Sequence, residues 1–398
     1  MRFKTASFFN PRISIAFSLM VILVILGFFA VGCETKVKSE AGTPPNDLYG
    51  GIEIGSKGVK ATILEAKYNQ PTNEDDAGRT VQESMPLETT NTTLMADLDK
   101  DGNFSKTALE DTVKAVKSYY DKLRSQNVTP EQIYIIGSSG LLKANQASRD
   151  ALSSKITEVT NTKMRYLTAQ LESEYSIIGI IPKAYRSNAF LIDIGSGNTK
   201  GGYIENHDTD LRFVTMEVPL GSVTATNEID KAATNDYEVI LNAERVRANV
   251  FEPALSKDLS RKSGFVNRKR LYLSGGMNWA VATLRHPGIQ DKDGMVTLTV
   301  QDIDDFTYLA KKDPQKLLNP DLSGIKDDAT RKRVEKEIQK VGDTFTQKNL
   351  VAGGELLQAI VSVCKLKDKG KHIYFARFGQ TGWLYKFIET TIESKPKS

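Results

Sequence analysis

The sequence predicts an α/β protein made of two half-domains, each with a mixed sheet, facing each other across a cleft. Three observations carry that expectation. An apolar strand entering an acid-Ile-Gly-Ser turn appears in the stretch Phe190–Tyr203 and again in Gly51–Lys60, about 140 residues away. Around each copy the chain reads β-hairpin, helix, strand, helix, strand, helix, the alternation that builds mixed α/β layers. At 398 residues the chain is also long enough for two domains with full cores.

The turns themselves point to anion chemistry. In Asp193-Ile194-Gly195-Ser196-Gly197-Asn198-Thr199, small residues let backbone N–H groups approach a bound anion with no Cβ in the way. Asp193 stands at the mouth of that turn, where a carboxylate can hold a hydrated divalent ion against a phosphate. Glu53 takes the same place in Glu53-Ile54-Gly55-Ser56-Lys57-Gly58. Gly, Asn and Ser are ordinary turn residues, so one such turn says little; its recurrence suggests two related halves facing one phosphate chain. Neither copy is a Walker loop, which needs Gly-Lys-Ser/Thr opening a helix. Neither is a Rossmann fingerprint, because the turn joins two strands.

Bulk composition narrows the function classes. Apolar content of 40% and charged content of 26% are ordinary for a globular protein. The formal charge of +4 falls to about +1 without the leader residues Arg2, Lys4 and Arg12, which argues against a nucleic-acid partner. The three histidines, His207, His286 and His372, are too scattered to build a zinc site. The acidic run Asp97–Gly102 is a turn and not an EF-hand, since Ala108 stands where the loop needs its twelfth-position Glu.

The leader sets a compartment. Arg2, Lys4 and Arg12 precede an uncharged apolar run from Ile13 to Gly32, a basic n-region followed by a long h-region. It ends Phe28-Phe29-Ala30-Val31-Gly32-Cys33. Small residues before a cysteine resemble a bacterial lipobox, with Cys33 as the acylated first residue. The alternative is a 20-residue signal anchor that spans a bilayer. Both attach the chain to a membrane with its domain outside the cytoplasm. Cys364, the other cysteine, sits in the apolar run Leu356–Leu366 and reads as a buried small hydrophobe. With Cys33 lipidated, no intramolecular disulfide remains.

Elements follow from pattern and punctuation. Tyr49–Gly55 and Val59–Ala66 form a hairpin. Lys106–Ser125 is an amphipathic helix with Leu109, Val113, Val116, Tyr120 and Leu123 on one face and Ser105 as cap. Gln132–Ile136 is a strand leading to Gly137-Ser138-Ser139-Gly140, whose serines suit a phosphate or a helix cap. After a strand at Lys163–Leu167, a helix opens at Ala169 with Glu172 and Glu174 on different faces. In the second half, Glu217–Val223 is a strand ending in a small turn at Gly221-Ser222. Leu271–Gly276 is a strand into a Gly turn, the Gly-Gly pair recurs at Gly353-Gly354, and Ile373–Arg377 is the last strand. The expected domains are a leader at 1–32, a tether at 33–47, and half-domains at 48–184 and 185–390. The second carries a helical insertion at about 300–349, and 391–398 is a tail.

In this order the motifs resemble the exopolyphosphatase / guanosine-pentaphosphate phosphatase (Ppx/GppA) family of the actin-like ATPase superfamily, over about Tyr49–Phe387. The likeness rests on the two turns, on Gly137–Asn145, on Thr168–Ser173 and on Pro219-Leu220-Gly221. It implies two ribonuclease-H-like half-domains that remove terminal phosphate from polyphosphate or a guanosine pentaphosphate-like nucleotide with Mg²⁺. It places the catalytic glutamate at Glu172 and the metal at Asp193 and Glu53. Phosphate contacts fall on Gly55, Ser56 and Lys57, on Ser138, Ser139 and Lys143, on Gly195, Ser196, Gly197 and Asn198, and on Gly221 and Ser222. It also implies pairing as a homodimer.

The chain departs from the family pattern in telling places. The Asp of the first turn is Glu53 and the Asn after Gly-Ser is Lys57. The phosphate-binding Arg falls on Leu142, beside Lys143, and the acid after the second turn is Lys200. Lost acids weaken metal binding, while added lysines hold phosphate as point charges. Two other functions therefore stand beside hydrolysis: a catalytically silent relative that binds a phosphate ligand or an envelope partner, and a sugar-kinase-like ATP-binding protein.

Overall fold

The computed structural model describes residues 47–68, 79–83, 88–95, 98, 100–205, 211–231, 233, 235–289, 294–380 and 382–393. The leader, Cys33 and the tether as far as residue 46 lie outside the described residues, as do Asp97, Asp99 and His207, while Asp47, the expected last tether residue, already belongs to the first strand. Among the described residues no helix is long and apolar enough to cross a membrane.

The first sheet contains β1 (Asp47–Ile54), β2 (Gly58–Tyr68), β3 (Arg79–Glu83), β4 (Glu88–Asn91), β5 (Ile133–Gly137) and β6 (Met164–Tyr166). Their order is β3-β2-β1-β5-β6, with β4 also pairing β2. The hairpin β1–β2 is antiparallel, whereas β5 runs parallel to β1 and β6 parallel to β5. The second sheet contains β7 (Ala189–Ile194), β8 (Thr199–Glu205), β9 (Arg212–Val218), β10 (Arg270–Ser274), β11 (Met295–Leu298) and β12 (His372–Ala376). Its order is β11-β12-β10-β7-β8-β9. Three antiparallel strands flanked by parallel ones thus occur twice, with β1 and β7 in equivalent central places.

The mixed α/β class with two mixed sheets is as expected. β3 and β4 escaped the sequence reading because they are short polar edge strands, and β11 because four residues, though mostly apolar, are too few to show a period; all three are stabilised by pairing more than by their own pattern. Gly353 and Gly354 are not a turn. They lie inside the helix Gln347–Val363, packed on Met277 and Thr307. Gly221-Ser222 opens a helix, Ser222–Asp230, that the strand expectation overran. The helix Gln146–Thr160 is capped by Asn145 and not by Ser138 or Ser139, with Asn145 Oδ1 accepting from Ser148 N at 2.8 Å.

Two helices are exchanged between the halves drawn from the sequence. Ala169–Ile180 packs on the second sheet, with Ile177 and Ile180 buried beside Leu191 and Ile204. The final helix, Gly382–Glu393, returns to the first sheet, with Leu384, Phe387 and Ile388 buried beside Tyr49, Leu64 and Ile136. The pair touch at glycines: a Cβ on Gly179 would stand 2.4 Å from the Gly382 carbonyl oxygen. Each helix covers an apolar sheet face that its own half leaves bare, a burial no local pattern encodes.

Candidate active site

The two recurring turns meet. The β1–β2 turn closes with Gly55 N donating to Gly58 O at 2.8 Å, and the β7–β8 turn with Gly195 N donating to Asn198 O at 3.0 Å. Ser56 Oγ would lie 3.4 Å from a Cβ placed on Gly197, so the turns of the two halves are in contact range. Between the halves lies a cavity of about 350 Å³, lined by both turns and by Ser138, Gly140, Glu172 and Ser222. The backbone N–H groups of Ser56, Lys57, Ser196 and Gly197 donate to no group among the described residues. They are the donors an anion in this cavity would meet.

Glu172 sits on the cavity floor because of its helix. Thr168 caps Ala169–Ile180, with Oγ1 accepting from Leu171 N at 3.2 Å, so the first turn lies against the β5 end. Glu172 Oε2 accepts from Ser139 N at 2.9 Å. Glu174, two residues on, is half-exposed and accepts from Gln170. The two acids therefore point apart as their spacing dictates.

Strand register sets the charge pattern. Glu53 pairs directly with Lys60 across β1–β2, and Asp193 with Lys200 across β7–β8. Residues directly opposite share a sheet face. Glu53 Oε2 accordingly lies 3.7 Å from Lys60 Nζ, and Asp193 Oδ1 lies 3.4 Å from Lys200 Nζ. Lys200 Nζ also stands 3.0 Å from Glu172 Oε1. Burial works against the Lys200 charge, but Asp193, Glu172 and Glu53 outweigh it and raise its pKa. Burial raises the Glu53 carboxyl above the usual range despite Lys60.

The proposed metal ligands can be tested against these contacts. Asp193 Oδ2 accepts from Ser274 Oγ at 2.6 Å while Oδ1 faces Lys200. Magnesium requires near-octahedral oxygens at about 2.0–2.1 Å, and here an ammonium lies among the acids. No group of three His, Cys, Asp or Glu side chains among the described residues is arranged to hold a metal ion. The donors as they stand do not fit Mg²⁺.

The other expected phosphate residues divide by role. Ser56, Ser138, Ser196, Gly197 and Asn198 line the cavity with Gly55 and Gly195. Ser139 turns its N–H to Glu172, and its Oγ accepts from Asn198 Nδ2 at 3.3 Å. Lys143 donates to the Gly197 carbonyl across the cleft. Gly221 and Ser222 support the second turn: Ser222 N donates to Gly195 O at 2.9 Å and Gly221 N to Thr224 Oγ1 at 2.7 Å. Lys57 crosses the cleft, with Nζ donating to Thr344 O at 3.1 Å and Asn349 Oδ1 at 3.2 Å, over the Phe345 ring. Burial lowers its pKa to about 8.

Sequence reading missed Lys60, Ser274, Trp279, Lys340 and Arg377, all but Ser274 lining the cavity. Lys60 had a signal, since it stands seven residues after Glu53 as Lys200 does after Asp193. Lys340 had none, being one lysine of a charged helix, Asp328–Thr344. Burial first and nearby Lys60 second lower its pKa, so two lysines from opposite halves face one another across the cavity that both line.

Two lobes of repeated sheet order, with paired turns opening on one cleft, define the class: a two-lobed mixed α/β fold with its candidate site between the halves. Among solved structures the chain is similar to those of Ppx/GppA proteins. An exopolyphosphatase-like protein matches with a TM-score of 0.64 at 13% identity, covering 88% of this chain and 99% of that one. The Ppx/GppA family member of Aquifex aeolicus gives 0.58 at 15% identity over 88% and 100%. An exopolyphosphatase from Cytophaga hutchinsonii gives 0.59 at 14% identity over 86% and 98%. No family profile matches the chain, and no curated protein sequence matches it. At these identities the likeness defines the fold, which is that of the Ppx/GppA structures.

Proposed function

We propose that this chain is an envelope-anchored phosphoanhydride hydrolase, releasing terminal phosphate from polyphosphate or a guanosine pentaphosphate-like nucleotide. The observation that carries the reading is the buried Glu172 carboxylate on the floor of a cleft into which both Gly/Ser turns open. The N–H groups of Ser56, Lys57, Ser196 and Gly197 would hold phosphoryl oxygens, and Lys60, Lys340 and Arg377 would attract the chain. Glu172 would take the proton of the attacking water. Little covalent chemistry is asked of the protein, so positioning dominates.

The test is phosphate release from long-chain polyphosphate by the wild type and by Glu172→Gln. Loss of a general base should lower the rate by about 10²–10⁴-fold. Unchanged turnover would remove Glu172 from the mechanism. A second reading, a silent phosphate binder, draws on the 3.0 Å contact of Lys200 with Glu172, which engages the base. Saturable polyphosphate binding with no release from either protein would select it.

Membrane attachment through Cys33, with the domain outside the cytoplasm, and homodimer formation are part of the same proposal. Cys33→Ser should release the chain from membranes if the anchor is a lipid; full retention would select the spanning leader.

A further inference from the structure

We propose that the Lys200 ammonium takes the place of the divalent cation in this cleft, so that a phosphate chain is bound there without Mg²⁺. The inference rests on reading the cleft as a phosphate site.

The lysine is built into the strand pairing. Asp193 and Lys200 are directly opposed in β7–β8, which puts both side chains on the cleft face. Lys200 is 4% exposed and Glu172 3%, so this pair is desolvated. The ammonium lies 3.0 Å from Glu172 Oε1 and 3.4 Å from Asp193 Oδ1. These two acids would otherwise be the anionic wall of a metal site. An ammonium has three donors. Two face the carboxylates, and the residue lines the cavity, so the third is available to a phosphoryl oxygen.

Charge and geometry agree. A divalent ion bridging acid and phosphate supplies two positive charges; the buried lysine supplies one as a fixed point charge, which offsets one of the two acids and occupies the place between them. Placing Mg²⁺ beside it would oppose two cations in a site of low dielectric. Asp193 is held in its present orientation by Ser274 Oγ at 2.6 Å, which leaves it turned to the lysine.

The experiment has two arms on the full-length chain. The first measures Mn²⁺ uptake by electron paramagnetic resonance. Wild type should take up no Mn²⁺ that Asp193→Asn abolishes, whereas Lys200→Met, with the acids freed, should acquire one such ion per chain. A wild-type Mn²⁺ site lost in Asp193→Asn would overturn the proposal even if Lys200→Met fails to fold. The second arm measures polyphosphate affinity in EDTA and in Mg²⁺. Wild-type dissociation constants should agree within about twofold. A loss of about tenfold or more in EDTA would contradict the proposal. No polyphosphate binding in either buffer would overturn the phosphate reading of the cleft, and the Mn²⁺ arm would still decide whether the ammonium excludes the ion.

Discussion

Lys57 shows how one departure from a family pattern changes a site's physics. As the third residue of the β1–β2 turn it lines the cavity, as expected of a phosphate contact, and its ammonium also reaches Thr344, Phe345 and Asn349 on the opposite lobe. Burial lowers its pKa from 10.5 to about 8. The folded chain therefore sheds this proton near pH 8, while the unfolded chain keeps it to about 10.5. Between those values the unfolded state binds more protons, so stability rises with pH there. Below that window both states are protonated and the cost of burying the charge is fully present. Denaturant unfolding of wild type and Lys57→Met, compared from about pH 7 to about pH 10, should show wild type gaining on the variant only above about pH 8. A constant difference would mean that the ammonium is not desolvated.

Residue identities of this kind were only partly legible. Glu172 was legible only through the likeness carried by Thr168–Ser173; helix spacing by itself separates Glu172 from Glu174 without saying which of them faces the cleft. Lys200 was read as a lost acid, and its partnership with Glu172 was not visible. That contact joins β8 to the exchanged helix Ala169–Ile180, and the packing of those two elements is a tertiary fact.

At the scale of elements, the second turn is held by a helix start. Gly221 lies against the turn backbone: a Cβ there would stand 2.5 Å from the Ser196 carbonyl carbon and 2.6 Å from Gly195 O. Ser222 N and Val223 N donate to Gly195 O and Ser196 O at 2.9 Å each. Gly221→Ala must push the turn off this support. Overpacking of this kind typically costs about 1–3 kcal/mol, and a misplaced phosphate cradle should weaken polyphosphate binding more than stability alone explains. Calorimetric titration beside thermal unfolding checks this; a variant with lowered stability and unchanged affinity would make Gly221 purely structural. The sequence showed Pro219-Leu220-Gly221 and its family likeness. Hairpins and turns are legible because their chemistry is local, whereas short edge strands such as β4 and β11 draw their order from partners distant in sequence.

At the scale of the molecule, two similar sheets are tied together by exchanged helices and by cations that cross the cleft. Lys143 holds Gly197, and Lys57 holds the junction at Thr344. The repeat was legible because acid-Ile-Gly-Ser occurs twice; the exchange of Ala169–Ile180 and Gly382–Glu393 was not, since it depends on which bare sheet face each helix covers. Both tryptophans of the chain, Trp279 and Trp383, line the cleft between the lobes. Their fluorescence therefore reports directly on the claim that this cleft receives a phosphate chain. Titrating Glu172→Gln, which blocks turnover under the proposed mechanism, with polyphosphate should give a saturable change that weakens as salt rises, as expected for a polyanion drawn by Lys60, Lys340 and Arg377. A trace that stays flat, or that rises linearly without saturation, would contradict the account.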